Sequence, residues 1–142
     1  MKKSVIVSAV RTPLGSFGGS LSKIGATDLG GMVIKEAVKR AGIEPEAVNE
    51  CNMGMVLPCG YGQNPGNIAA LKGGLPDSIE SITVNKVCGS SLKAVMIADQ
   101  AIRCGDAEVV VAGGMENMSM APYYMEKARW GHRMGPGTIQ DH

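Results

Sequence analysis

Apolar and polar positions alternate in blocks along the chain. The first apolar run, Val5 to Val10, has the length and composition of a short buried strand, and the glycine-rich RTPLGSFGGSLSKIGA that follows reads as a loop. Thr27 stands where an N-cap belongs. Leu29, Met32, Val33, Ala37 and Ala41 then recur at helical spacing until Gly42 stops them. The unit repeats: CNMGMVL is a second candidate strand, PCGYGQNPG a loop, NIAALKGG a short helix and SITVNKV a third strand.

Beyond that strand, Leu92, Val95, Met96, Ala98, Ala101 and Ile102 predict a helix reaching about Arg103, with Gly105 as its stop. It is apolar on most of its circumference, interrupted mainly by Lys93, Asp99, Gln100 and Arg103, so it should be covered on more than one side. EVVVAGG follows as a continuous β-branched run of the kind found in parallel strands buried on both faces. Strands and helices in alternation predict an α/β fold with a mainly parallel sheet. After Gly114 the pattern dissolves into a Met-rich segment without clear period, in which no further strand is expected.

Composition narrows the function more than the fold. The chain has 142 residues, 44% hydrophobic and 19% charged, and no apolar run approaches the length of a membrane span. Fourteen basic residues against 13 acidic ones give a net charge of +1, and the basic residues are scattered, which argues against a nucleic-acid partner. The start MKKSVIVSAVRTP has a basic beginning, but its apolar stretch is too short for a secretion signal and ends at Arg11 and Pro13. A cytoplasmic protein is therefore expected.

Four cysteines, Cys51, Cys59, Cys88 and Cys104, include no C-x-x-C pair, and only His132 and His142 accompany them, so neither a zinc site nor a disulfide framework is expected. The glycine-rich loops at 15–19 and 60–66 contain neither phosphate-cradling motif, which disfavours a nucleotide-binding domain. Cys88 differs from the other thiols in lying at a strand-to-helix junction, VNKVCGSSLKAV. There it is either a small buried core residue or a nucleophile beside the positive end of a helix. A helix dipole contributes only ~0.3–1 kcal/mol, so a nucleophilic Cys also wants a base, and no histidine precedes His132.

Four segments in order resolve that choice by resemblance. RTPLGSFGGSL at 11–21, GQNPGNIAA at 62–70, VNKVCGSSLKAV at 84–95 and GGMENMSMAPY at 113–123 resemble the signature segments of the thiolases, the acetyl-CoA acetyltransferase and 3-ketoacyl-CoA thiolase family. The resemblance implies that Cys88 takes an acyl group from an acyl-CoA as a thioester. It further implies reversible Claisen condensation and thiolysis of acetyl-CoA and 3-ketoacyl-CoA by a ping-pong route. Coenzyme A thioesters would then be substrates, with no tightly bound cofactor and no metal, and the protein a homo-oligomer.

Two departures stand inside the motifs: Ser91 replaces a common Gly, and Gly66-Asn67-Ile68 stands where an Arg-Gln pair is frequent. Larger is what lies outside them. The family's second half, with an activating His in a Gly-His-Pro-type segment and an acid/base Cys in a Cys-x-Gly-type segment, has no counterpart here. The resemblance thus divides the chain into a thiolase N-terminal α/β domain of βαβαβαβ type, residues 1–119, and the beginning of an inserted loop region, 120–142. These residues alone are expected to be inactive without a C-terminal half or a complementary chain. The competing reading is a non-catalytic half-fold subunit that binds acyl-CoA or a partner chain.

The remaining candidates have plainer alternatives. Cys51, Cys59 and Cys104 read as structural thiols, and His132 matches no catalytic motif. Met115, Met118, Met120, Met125 and Met134 either line an acyl pocket or pack under a loop, and Glu116 and Asn117 are either substrate ligands or the satisfied end of a strand.

Overall fold

A computed structural model describes residues 3–142; Met1 and Lys2, at the basic start, lie outside the described residues. Three strands, β1 (Glu50–Gly54), β2 (Glu80–Val84) and β3 (Val110–Gly114), form a parallel sheet in the order β2-β1-β3. Helix α1 (Ala26–Ala41) precedes it, α2 (Pro65–Lys72) joins β1 to β2, and α3 (Ser90–Cys104) joins β2 to β3. The α/β class with a parallel sheet is as the alternating pattern predicts.

The register shows why the helices divide between two faces. Glu50 pairs with Glu80 on one side and Val110 on the other, so β1 is central. The step from β1 to β2 goes one way and the step from β2 to β3 returns across β1. Crossovers of one hand then place α2 and α3 on opposite faces. Alternate residues of β1 follow suit: Cys51 and Met53 join Ile34, Val38, Ala69 and Ala70 in the buried core beneath α1 and α2, while Gly54 lies against the start of α3.

Helix α1 reaches its neighbours so closely because of Gly31, where an added Cβ would stand 2.8 Å from Lys72 Cβ. Its buried face is Ala26, Thr27, Gly30, Gly31, Ile34 and Val38. The predicted stripe of Leu29, Met32, Val33, Ala37 and Ala41 lies to the side of that face, with Met32 exposed. The larger aliphatic residues misdirect the pattern, because two glycines do the close packing. Thr27 does not cap the helix either. Gly25 is the N-cap, without a side-chain bond, and buried Thr27 accepts from Lys72 Nζ at 3.1 Å. Gly42 and Gly105 end α1 and α3 in left-handed geometry, as expected.

Val5 to Val10 is not a strand. The segment lines one wall of a cavity of about 560 Å³ whose other walls include Val33, Ala37, Ile102 and Val110, yet it belongs to no ladder. Val5, Ile6 and Val7 are each at least 70% exposed. An apolar run becomes a strand only where a sheet edge accepts its backbone bonds.

Helix α3 is covered on one side only. Ser90, Ala94 and Ala98 are buried against the sheet, while Leu92, Val95 and Met96 are exposed. Beyond β3, where no strand is predicted, β4 (Tyr123–Tyr124) and β5 (Gln140–Asp141) pair antiparallel. Tyr124 Oη donates to Gln140 Oε1 at 2.7 Å across that short ladder.

Candidate functional site

The C-terminal ends of β1, β2 and β3 lie along one edge of the sheet, where open parallel sheets place their ligand crevices. Cys88 follows β2 at that edge. Its neighbours make a tight turn: Gly89 N–H donates to Lys86 O at 3.0 Å, Ser90 N–H to Val87 O at 3.1 Å, and α3 begins at Ser90. Cys88 therefore lies at the strand-to-helix junction, just before the N-cap Gly89 and outside the first helical turn. The turn requires its own residues, and the strand does not run straight into the helix.

Cys88 is exposed and packs in no core cluster of the described residues. Exposure does not single it out, because Cys59 and Cys104 are exposed too. Cys51 is wholly buried in the α1/α2 core, and burial pushes its thiol up to about 12. Of the four, it is the one thiol held away from solvent chemistry.

Side-chain bonds shape the turn that carries Cys88. Buried Ser90 accepts from Lys86 N–H at 2.8 Å and donates its hydroxyl to Val87 O at 2.5 Å. Asn85 Oδ1 accepts from Val87 N–H at 3.0 Å, and Asn85 Nδ2 donates to Val56 O at 3.1 Å. Val87 has φ +49°, a left-handed conformation unusual for a β-branched residue. Neither Asn85 nor Ser90 stands out by sequence reading. The available signal is that Asn and Ser, when they flank a strand-to-helix junction, bond neighbouring backbone groups and favour turns over continued strand.

Ser91 fits despite replacing a common Gly. The space it needs is left by glycines on the two strands opposite: a Cβ on Gly54 would stand 2.5 Å from Ser91 N, and one on Gly114 would overlap Ser91 Oγ. Gly66 is likewise held close, with an added Cβ only 2.6 Å from Ile82 O, so a side chain there would strike β2.

Glu116 and Asn117 act as braces. Glu116 Oε2 accepts from Val56 N–H at 2.7 Å, while Oε1 is buried without a partner among the described residues. Asn117 Nδ2 donates to Leu21 O and Ile24 O at 3.0 and 2.6 Å, and its Oδ1 accepts from Ser119 N–H. Asn117 thus ties the glycine-rich first loop to the end of β3. Met115 is core, whereas Met118, Met120 and Met134 are exposed. His132 is bonded to Gly135 O at 2.7 Å, and His142 Nε2 accepts from Cys59 N–H. These bonds of the two histidines go to Gly135 and Cys59, not to residues of the Cys88 turn.

No group of three or more His, Cys, Asp or Glu residues with metal-binding geometry occurs among the described residues. No described helix is long and apolar enough to cross a membrane.

Residues 4–142 match the family described as the N-terminal domain of thiolase. The chain is 57% identical over 141 residues to an acetyl-CoA acetyltransferase of Cupriavidus necator and 56% identical over 142 residues to one of Escherichia coli. Each match covers 99% of this chain and 36% of the relative. The crystal structure of the Bacillus anthracis acetyl-CoA acetyltransferase superposes with a TM-score of 0.94 at 42% identity, again over 99% of this chain and 36% of that one. The chain thus spans about a third of the length of these proteins, 36% in each case. A parallel sheet with a thiol at the β2–α3 turn, matched over nearly its whole length by these relatives, establishes that the chain belongs to the thiolase family.

Proposed function

We propose that this chain is the nucleophile-bearing part of an acyl-CoA acyltransferase that interconverts acetyl-CoA and 3-ketoacyl-CoA through an acyl-Cys88 thioester. The observation that carries the reading is the exposed Cys88 in a braced turn immediately before α3, at the ligand edge of a parallel sheet. The names of its relatives support the substrate class.

In the first half-reaction the Cys88 sulfur attacks the thioester carbonyl carbon and forms a new carbon–sulfur bond. The bond to coenzyme A breaks, and coenzyme A leaves as the thiol, carrying the proton that Cys88 gives up to a base. The acyl group then passes to the carbanion of acetyl-CoA or back to coenzyme A. The backbone amides at the open end of α3 are suited to receiving negative charge that develops on the carbonyl oxygen.

The base and the group that forms the carbanion are assigned to chain outside these 142 residues, in a second half like that of the longer relatives. That half would cover the exposed Leu92, Val95 and Met96 of α3, leaving the helix between two sheets. Residues 1–119 form the N-terminal domain in this reading and 120–142 open the inserted loop region. Four free thiols suit a reducing, cytoplasmic compartment, and the family resemblance supports a homo-oligomer.

Incubating the full-length protein with acetyl-CoA should place an acetyl group on the Cys88 peptide, read by mass spectrometry, and Cys88→Ala should abolish turnover. Acetylation at another residue, or turnover by Cys88→Ala, would overturn the assignment. A protein that binds acetyl-CoA without acylation or turnover would be the non-catalytic subunit instead.

A further inference from the structure

We infer that Asn85 is a positioning residue for Cys88, holding Val87 in its left-handed conformation by tying it to Val56 and so fixing the turn that carries the thiol. The inference rests on the reading of Cys88 as the nucleophile.

Val87, immediately before Cys88, has φ +49°. A β-branched residue keeps such a conformation only where its surroundings over-determine it. Those surroundings form one connected chain of bonds. Glu116 Oε2 takes the Val56 N–H at 2.7 Å, and the Val56 carbonyl takes Asn85 Nδ2 at 3.1 Å. Asn85 Oδ1 takes the Val87 N–H at 3.0 Å, and the Val87 carbonyl takes the Ser90 hydroxyl at 2.5 Å. Both polar groups of Val87 are thereby held, one by each side of the turn. The ends of β1, β2 and β3 are linked through Val56, Asn85 and Glu116 in turn.

An amide side chain suits the central place in this chain. Asn85 accepts with its oxygen and donates with its nitrogen, so its orientation is fixed by two partners of opposite kind. An ionised aspartate keeps the acceptor for Val87 and loses the donor to Val56; leucine loses both. Val56 itself is anchored by Glu116, so the turn is referenced to the body of the sheet and not merely closed upon itself.

The test measures acylation of Cys88 in the full-length protein and its variants at several acetyl-CoA concentrations. Asn85→Leu should slow acylation by about tenfold to a hundredfold with KM nearly unchanged, since the reacting atom is misplaced while substrate contacts remain. Adding Val87→Gly should recover most of that loss, because glycine takes positive φ without being held there. A purely structural role for Asn85 would lower thermal stability without this rescue. Should Asn85→Leu fail to fold, Asn85→Asp is the second variant, with a loss of the same sign.

A parent-like acylation rate in Asn85→Leu or in Asn85→Asp, or a loss that Val87→Gly leaves untouched, would overturn the inference. Failure of the parent protein itself to acylate Cys88 is a different result and overturns the functional reading beneath it.

Discussion

The two faces of the sheet are built on different principles. Under α1 and α2, Ile34, Val38, Cys51, Met53, Ala69 and Ala70 are buried together, and glycines draw the helices close. Under α3 only small residues, Ser90, Ala94 and Ala98, are fully buried; Ile97 and Ile102 are half-buried, and Leu92, Val95 and Met96 are exposed. Each face carries a thiol, and the contrast extends to chemistry: Cys51 is sealed within the packed face, while Cys88 stands exposed where the other face begins. The sealed thiol lies on one side of β1, and the exposed one begins the other.

The strongest way to break this comparison is to empty the packed face. Met53 is 1% exposed, and Met53→Ala should cost about 2–5 kcal/mol, the range for a large core side chain reduced to Ala. Urea denaturation measures it, and a loss below about 1 kcal/mol would mean that the face is looser than its burial indicates.

Per pH unit, a smaller effect comes from Cys51 and alkali. Burial raises its pKa from 9.0 to about 12. The unfolded chain therefore releases this proton first as pH rises above 9.0, and the folded state retains it. Stability from this group is complete below 9.0 and is lost as pH climbs toward 12, at about 1.4 kcal/mol per pH unit within that window. Denaturation series at successive alkaline pH values should show a shallower decline in Cys51→Ala; equal slopes would place the thiol in contact with water.

The smallest expected effect sharpens the contrast. Leu92 is 67% exposed, so Leu92→Ser in the 142-residue chain should change stability by no more than about 0.5 kcal/mol. The same substitution in the longer protein should cost more, because the proposed second half covers this face. A large loss already in the shorter chain would show that α3 is covered from within these residues.

Legibility follows the same division. Strands β2 and β3 and the glycine stops are readable because an apolar run containing β-branched residues and a left-handed C-terminus each have a local cause. The α1 face was misread because local hydrophobicity does not reveal that Gly30 and Gly31 make the closest contacts. Val5 to Val10 was misread because strand formation depends on an available edge, which is a property of the whole fold. The near-uniform apolarity of α3 predicted covering on more than one side, and this chain supplies one. At the site, Cys88 is legible only through the ordered motifs; the Ser90 contacts and the Asn85–Val87 bond are local to the turn, whereas the Asn85–Val56 bond depends on a carbonyl brought in from beyond the end of β1.

The central position of β1 also sets an order of events during synthesis. Its ladder with β2 can form once Val84 has emerged, but its other edge waits for Val110, the partner of Glu50. At ~5–20 residues per second that interval lasts on the order of one to five seconds, during which the edge of β1 is open and the apolar residues of α3 are appearing beside it. For that interval the middle strand carries one unpaired edge beside an uncovered helix, and it is among the most protected elements once the chain is finished.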